Sequence, residues 1–397
     1  MKKEKSKVVI LGGGTGGVIV ANVLGRKTKK QADITLVSKQ ENVFYEADLP
    51  FHIFDEKSLK SMYKPVRKVV NKNVNVLKEE VVGLDVDKKI VSFKSGSNIP
   101  YDYLVIATGA YYDFDSVPGF KEGAYHYYNE EGIHKLRKAL DSFVVNGKNG
   151  KGKDDIQNVV IGIADLPFKC PVAPLEGTFM MEHFLRRKKL RKTTNIHYLS
   201  PIGGAFSIEQ ANVHIEKKFK KKNINLHTFF NTDAIHPDRK VVESLEGDEI
   251  GYDLLIMVPP HTGQPYLKGT PIADESGWVN VNTKTLQNEE YPHIFAIGDA
   301  ANLPVSKAGS SAHYQAMAVA HNLKDVLKGK LNISEVKEKY NGHATCLVLT
   351  SLTSAMFFDF NYNRSPFGLG YISNRLFYYF KKYQRFFYFY GFLSGRM

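Results

Sequence analysis

Two cysteines, Cys170 and Cys346, stand alone in 397 residues. A pair so sparse cannot build a stabilising framework, so if both matter, they matter as chemistry. Cys170 lies in Lys169-Cys170-Pro171-Val172-Ala173-Pro174-Leu175-Glu176, a proline-rich loop of the kind that carries function more often than packing. Cys346 opens an apolar, strand-like run, where burial as a small hydrophobe is the ordinary alternative. A second group with chemical potential is Gly12-x-Gly14-x-x-Gly17. It follows a short β-branched run and precedes a helical one. There the first glycine permits a tight turn, the second lets the backbone approach a pyrophosphate, and the third allows close helix–strand packing. The N-terminus of the helix that follows then offers free N–H groups and a positive dipole end to phosphate. The acid that usually grips a ribose at the end of the second strand is replaced by Ser38-Lys39. A serine keeps one hydrogen bond but not the bidentate grip.

These residues need a scaffold, and the chain is long enough for two or three domains. At 43% hydrophobic and 24% charged, it is neither disordered nor fibrous. The 54 Lys and Arg outnumber 41 Asp and Glu, for a formal charge of +13, which favours anionic partners. No run of about 18 apolar residues predicts a transmembrane helix. The basic Met1–Lys7 and apolar Val8 onward superficially resemble a secretory signal, but the glycines make a poor helical core for one. Strands are expected at 7–11, 34–37, 103–107, 158–163, 195–199, 225–227, 254–258 and 294–297. The segments 74–77, 81–86 and 89–93 read as a small antiparallel insertion. Helices are expected at 18–26, 131–145, 177–187, 208–221 and 310–327, with a solvated loop at 146–155.

Two further turns complete a pattern. Ala107-Thr108-Gly109 closes one strand, and Phe295-Ala-Ile-Gly298-Asp299 closes another. In this order the three marks resemble the two-dinucleotide-domain flavoproteins of the disulfide-reductase type. The resemblance implies bound FAD, with Asp299 on its ribityl chain and Gly12, Gly14, Thr15, Gly17, Ser38, Lys39, Val81, Thr108, Gly109 and Gly298 around it. Where that family carries a second glycine motif for NAD(P)H, this chain has Gly162-Ile-Ala164-Asp165-Leu-Pro167-Phe168. Two glycines are lost, Pro167 opposes a helix start, and Asp165 repels a pyrophosphate. The segment around Cys170 is similar to that of sulfide:quinone oxidoreductases, as are the position of Cys346 and the run Gly298–Gly309 with Lys307. A third cysteine that many members carry after the ATG turn is missing here.

The resemblance implies α/β architecture. It comprises an FAD-binding Rossmann-like domain (1–110 and 250–328), a second one with a degenerate motif (111–249), and a C-terminal quinone and membrane region (329–397). It also implies a sulfur-bridged or disulfide Cys170–Cys346 pair opened by hydrosulfide. One cysteine becomes a persulfide, and the other sends two electrons to FAD and then to a membrane quinone. Lys169 would favour the thiolate, Lys307 the reduced flavin's negative charge, and Glu176 would accept a proton. Phe357 and Phe358 are candidates for stacking on the quinone.

Residues 361–397 hold 14 aromatics and six Lys or Arg, with no acid. A helix here places Leu376, Tyr379, Phe380, Tyr383, Phe386, Phe387 and Tyr390 on one face, and Asn374, Arg375, Lys381, Lys382 and Arg385 on the other. Such a helix lies in a membrane interface. The expectation is therefore a peripheral, monotopic protein on the cytoplasmic face, attached through 371–397, whose truncation leaves the FAD and cysteine sites intact. A homo-oligomer is compatible with this. Neither nucleic-acid binding nor a metal site is expected. The rivals are a type II NADH:quinone oxidoreductase and a non-catalytic FAD-binding redox sensor.

Overall fold

The computed structural model describes residues 4–54, 59–149, 156–363 and 371–396. Its first unit is a parallel sheet of five strands in the order Ile294–Ala296, Tyr103–Ile106, Ser6–Leu11, Ala32–Ser38 and Val74–Lys78. Runs such as Val8-Val9-Ile10-Leu11 are apolar on both faces because helices or loops cover both sides of a parallel sheet. The helices Thr15–Lys27 and Gly309–Leu327 pack together against it. The expected grouping of residues 74–77 with an antiparallel insertion is corrected here. Val74 pairs in parallel with Ile34, and only Val81–Asp85, Ile90–Phe93 and Asn98–Pro100 form the antiparallel sheet.

A second parallel sheet runs Ile224–His227, Thr194–Leu199, Gln157–Ile163 and Leu254–Val258. The last strand pairs with the third, Ile161 opposite Ile256. The second unit therefore extends past residue 250, the boundary expected from sequence, to at least Val258. The helix expected at 131–145 runs from Glu130 to Asn149. The front of the expected loop is thus helical, and its remainder, 150–155, lies outside the described residues.

The C-terminal portion adds a hairpin, Ala344–Ser351 with Ser354–Phe360, and a helix, Arg375–Tyr390. Asn374 caps that helix, its side chain accepting from the Phe377 N–H. Tyr388, Phe389 and Leu393 are buried in the core of the first unit. Asn22 of the first helix donates to the Leu393 carbonyl at 2.7 Å. No described helix is long and apolar enough to cross a membrane.

This docking argues against the expectation that truncating residues 371–397 leaves the FAD and cysteine sites intact. Burying three large side chains contributes roughly 1.5–3 kcal/mol each. Deleting residues 371–397 is expected to lower the thermal midpoint of the whole chain by several degrees and to weaken cofactor retention. Thermal unfolding followed by circular dichroism and by flavin fluorescence checks both.

Candidate functional site

The glycine turn has the geometry its residue types demand. Gly12 has φ +107°, and a Cβ there would meet the Ala107 carbonyl oxygen at 2.1 Å. At Gly17 a Cβ would meet the Gly12 carbonyl oxygen at 1.9 Å, so helix and turn touch backbone to backbone. At Gly14 nothing lies within 4 Å. The helix that begins at Thr15 has no side-chain cap on its first amides. An open glycine beside uncapped amides fits a pyrophosphate. Thr108 shares a hydrogen bond with the Tyr266 hydroxyl at 3.1 Å, and Gly109 is open on its Cβ side. The Gly298 N–H donates to Gln315 Oε1 at 2.6 Å, which presents Asp299. Burial raises the Asp299 pKa against the opposing pull of Lys169 and Lys307. Its carboxylate accepts no hydrogen bond among the described residues. This donor-and-cradle set fits the dinucleotide cofactor that the sequence implies.

Three of the residues expected around FAD lie at or beside the end of the second strand. The Ser38 hydroxyl donates to the Gln40 carbonyl at 2.7 Å. Lys39 points outward to Glu80 at 2.7 Å and is 62% exposed, an ion pair of little consequence. Val81 packs in the same cluster as Val37, beside the end of the second strand.

The cysteine loop replaces the second nucleotide turn. The strand ends at Ile163 and the next helix begins only at Ala173, four residues before the sequence expectation. The intervening loop is tied to the Asp299 turn, because the Cys170 N–H donates to the Lys307 carbonyl at 2.6 Å. Lys169 and Lys307 also form an isolated parallel bridge. Cys170 has φ +57°, a left-handed conformation that costs a residue with a Cβ about 1–2 kcal/mol. Cys346 lies on the hairpin opposite Phe358, and both cysteines pack on one apolar cluster. Both are free thiols, and burial pushes each pKa up to about 12.

The cation that opposes this rise at both sulfurs is Lys381. The expected role of Lys169 is corrected, because its ammonium sits 2.9 Å from both oxygens of Glu46. Lys381, on the polar face of the C-terminal helix, is 4% exposed. Its Nζ donates to Glu176 Oε1 at 2.5 Å and to the Leu347 carbonyl at 2.9 Å. Glu176 is fully buried, and the same oxygen accepts from the Leu349 N–H at 2.7 Å. Desolvation raises its pKa against Lys381, and Oε2 has no partner among the described residues. Glu176 is thus neither a surface acid nor an open base, but half of a buried ion pair.

Arg385 makes a second tie to Asp48 at 3.0 Å, and Tyr388 a third, its hydroxyl 2.9 Å from Thr15 Oγ1. Lys381, Arg385 and Tyr388 are site residues that sequence reasoning missed. Cations spaced four apart within an aromatic run were the available signal. All seven residues of the aromatic face are exposed, from 47% at Phe387 to 65% at Tyr390. Lys307 is buried, with Nζ donating to the Asp299 and Ala301 carbonyls at 2.9 Å and lying 3.8 Å from the Trp278 ring centroid. Burial brings its pKa down to about 8. Of the two phenylalanines, Phe358 is core, packed against Phe206 and Tyr371, which removes it as a stacking surface. Phe357 is half-buried, 5.8 Å from Phe377 of the C-terminal helix.

Comparison with known proteins gives the family and the fold. Residues 6–161 match the pyridine nucleotide-disulphide oxidoreductase family. The chain is 30% identical over 370 residues to the mitochondrial sulfide:quinone oxidoreductase of Dictyostelium discoideum, covering 91% of this chain and 78% of that one. It is 28% identical over 375 residues to the Mus musculus protein of the same name, covering 92% and 80%. The fold superposes on the crystal structure of sulfide:quinone oxidoreductase from Aquifex aeolicus with a TM-score of 0.84, at 24% identity and over 98% of this chain and 92% of that one. With this identity sustained over nearly its whole length, the chain belongs to the sulfide:quinone oxidoreductase family.

Proposed function

We propose that this protein oxidises sulfide to sulfane sulfur through Cys170 and Cys346, holds FAD as its cofactor, and delivers two electrons to a membrane quinone. The observation that carries the reading is the convergence of the chain's two cysteines on one apolar cluster, beside the Asp299 turn. FAD, when bound, supplies the two-electron acceptor between sulfur and quinone. The remaining work falls to side chains. A bridge between the cysteines is opened by hydrosulfide, leaving a persulfide on one and a thiolate on the other. Burial disfavours that thiolate, and Lys381 is the charge that offsets the penalty. Gly12, Gly14 and the Thr15 helix end bind the pyrophosphate, and Asp299 orients the ribityl chain. Lys307 has three N–H donors and spends two on the Asp299 and Ala301 carbonyls. It positions the Asp299 turn and leaves one donor for the cofactor. Glu176 and Lys381 hold a proton at the inner end of the C-terminal helix. There Met180 and Leu349 are buried and the partly buried Phe51, Phe377 and Tyr378 pack against them, an apolar patch to which a quinone ring would be drawn, with Phe357 alongside.

The C-terminal helix is the membrane contact in this reading, because Lys381 and Arg385 face inward to Glu176 and Asp48 while seven large apolar or aromatic side chains face outward. Exposed Arg375 and Lys382 flank that face, and each basic residue near an anionic surface adds about 1 kcal/mol. The sheet turn Gly162–Phe168 argues against the NADH-dehydrogenase reading, since Asp165 is exposed at the point where a pyrophosphate would lie.

Three outcomes are expected. Anaerobic sulfide bleaches the flavin stoichiometrically and NADH does not; bleaching by NADH alone would restore the dehydrogenase reading. Cys170→Ser and Cys346→Ser each keep the flavin spectrum but lose at least about a thousandfold in sulfide-dependent quinone reduction, since exchange needs both sulfurs; near-normal turnover in either removes the exchange mechanism. Phe380→Glu with Phe386→Glu, which leaves the inward face untouched, releases the protein from vesicles containing anionic lipid while sulfide still bleaches the flavin. Undiminished co-sedimentation of that variant moves the membrane contact elsewhere.

A further inference from the structure

Two basic runs, Arg186–Lys192 and Lys217–Lys222, take no part in the function above. They close two helices, Ala173–Lys188 and Glu209–Lys221. Residues 183–208 and 217–232 together hold eleven Lys and Arg and no acid. The fold brings the two ends together. Buried Glu182 accepts from Arg186 and, at 2.6 Å, from Lys222. Arg191 donates to the Lys222 and Asn223 carbonyls at 2.6 and 2.7 Å. Those three cations satisfy the acid and the end of the second helix. The others are surplus. Arg187, Lys188, Lys189 and Lys192 are exposed on one end, and Lys217, Lys220 and Lys221 on the other. None of these seven has an ion pair among the described residues. Their crowding is felt at Lys218, whose pKa is lowered first by burial and then by Lys222 and Lys221. Repulsion of this kind is relieved by counter-charge from outside the chain.

The place of the cluster says what supplies that counter-charge. The helix Ala173–Lys188 runs beside the C-terminal helix in the opposite sense. Glu176 meets Lys381, and one turn on, Met180 shares a cluster with Phe377, one turn back. Another turn on, His183 Nδ1 accepts from the Leu352 N–H at 3.3 Å, at the tip of the hairpin. That hairpin bridges through Ala355 to Asn374, the cap of the C-terminal helix. Aromatic rings continue the line. Tyr378 lies 5.8 Å from Phe51, and Phe54 lies 5.1 Å from Phe184, with Phe51 and Phe54 at the end of one short helix. Lys188 Nζ stands 5.4 Å from the Phe184 centroid. The basic cluster therefore borders the exposed aromatic face where the C-terminal helix begins. Cations beside exposed apolar side chains match an anionic bilayer, whose interface takes the rings and whose phosphates take the charges.

We infer that the joined basic ends of these two helices form a second membrane contact, which binds the anionic headgroups of the bilayer that the C-terminal helix enters. The inference rests on the membrane-bound reading above. The aromatic face attaches the protein to any bilayer. The basic cluster adds preference for an anionic one and fixes orientation, because two contacts on separate parts of the fold stop rotation about the C-terminal helix. Cations alone, screened at physiological salt, do not replace the aromatic face.

The test uses the FAD-loaded full chain with vesicles of phosphatidylcholine alone or mixed with phosphatidylglycerol. The variant combines Arg187→Gln, Lys188→Gln, Lys192→Gln and Lys221→Gln, all exposed and outside the cysteine and cofactor sites. Bleaching of its flavin by sulfide without vesicles is unchanged. Its sedimentation with phosphatidylcholine vesicles equals that of the wild-type protein. Its partition onto mixed vesicles falls at least about thirtyfold, each lost charge removing a factor of up to roughly five. A second readout is lysine acylation mapped by peptide mass spectrometry. Mixed vesicles protect Lys188, Lys189, Lys220 and Lys221 of the wild-type protein. A variant that keeps the wild-type preference for mixed vesicles overturns the second contact, as do lysines acylated equally with and without them; the cluster then belongs to an acidic protein partner. Wild-type protein that binds both kinds of vesicle alike overturns the second contact and leaves the aromatic one standing. Wild-type protein that sediments with neither overturns the membrane reading and the second contact together.

Discussion

The buried pair of Glu176 and Lys381 joins three pieces of chain that are far apart in sequence. Glu176 stands on the helix that follows Cys170, Lys381 on the C-terminal helix. Both also hydrogen-bond the strand that carries Cys346, through the Leu349 N–H and the Leu347 carbonyl. Each charge alone would be intolerable there. Removing one partner of such a pair typically costs about 3–5 kcal/mol, because the other is left buried and uncompensated. The pair does not add much net stability over an apolar filling. What it does is fix register, since only one seating of the C-terminal helix brings Lys381 to Glu176, Arg385 to Asp48 and Tyr388 to Thr15.

That seating connects parts of the reaction that would otherwise be separate. The same helix touches the cysteine cluster through Lys381 and the start of the helix after the glycine turn through Tyr388, while its opposite face meets the surroundings. The electrostatic burden at the sulfurs is therefore relieved by a residue from the end of the chain, not by the neighbour in sequence. Lys169, next to Cys170, is already committed to Glu46.

Local chemistry was legible in the sequence where backbone geometry dictates residue type. The glycines at 12, 14 and 17, the loss of the second glycine motif and the singular pair of cysteines each imply their surroundings, because few other residues satisfy the same steric or redox demand. The aromatic face of the C-terminal helix was also readable from its period. What its cations pair with was not. A helical projection groups Lys381 and Arg385 on one face but does not name the acids that wait inside. Val74–Lys78 was misplaced for a similar reason, since a short apolar strand reads alike whether its partner is parallel or antiparallel.

The outward face of the C-terminal helix has a bearing on how the protein behaves in water. Seven large side chains between Leu376 and Tyr390 are each about half exposed, and contiguous apolar surface of that kind is seldom left bare on a soluble monomer. Deprived of lipid, it is covered by whatever is at hand, and at high concentration the nearest matching surface is the same patch on another copy. Self-association and the need for detergent during purification are then properties of an unmet surface rather than of a designed subunit interface. Stoichiometry measured in plain buffer reports on solvent quality as much as on the protein.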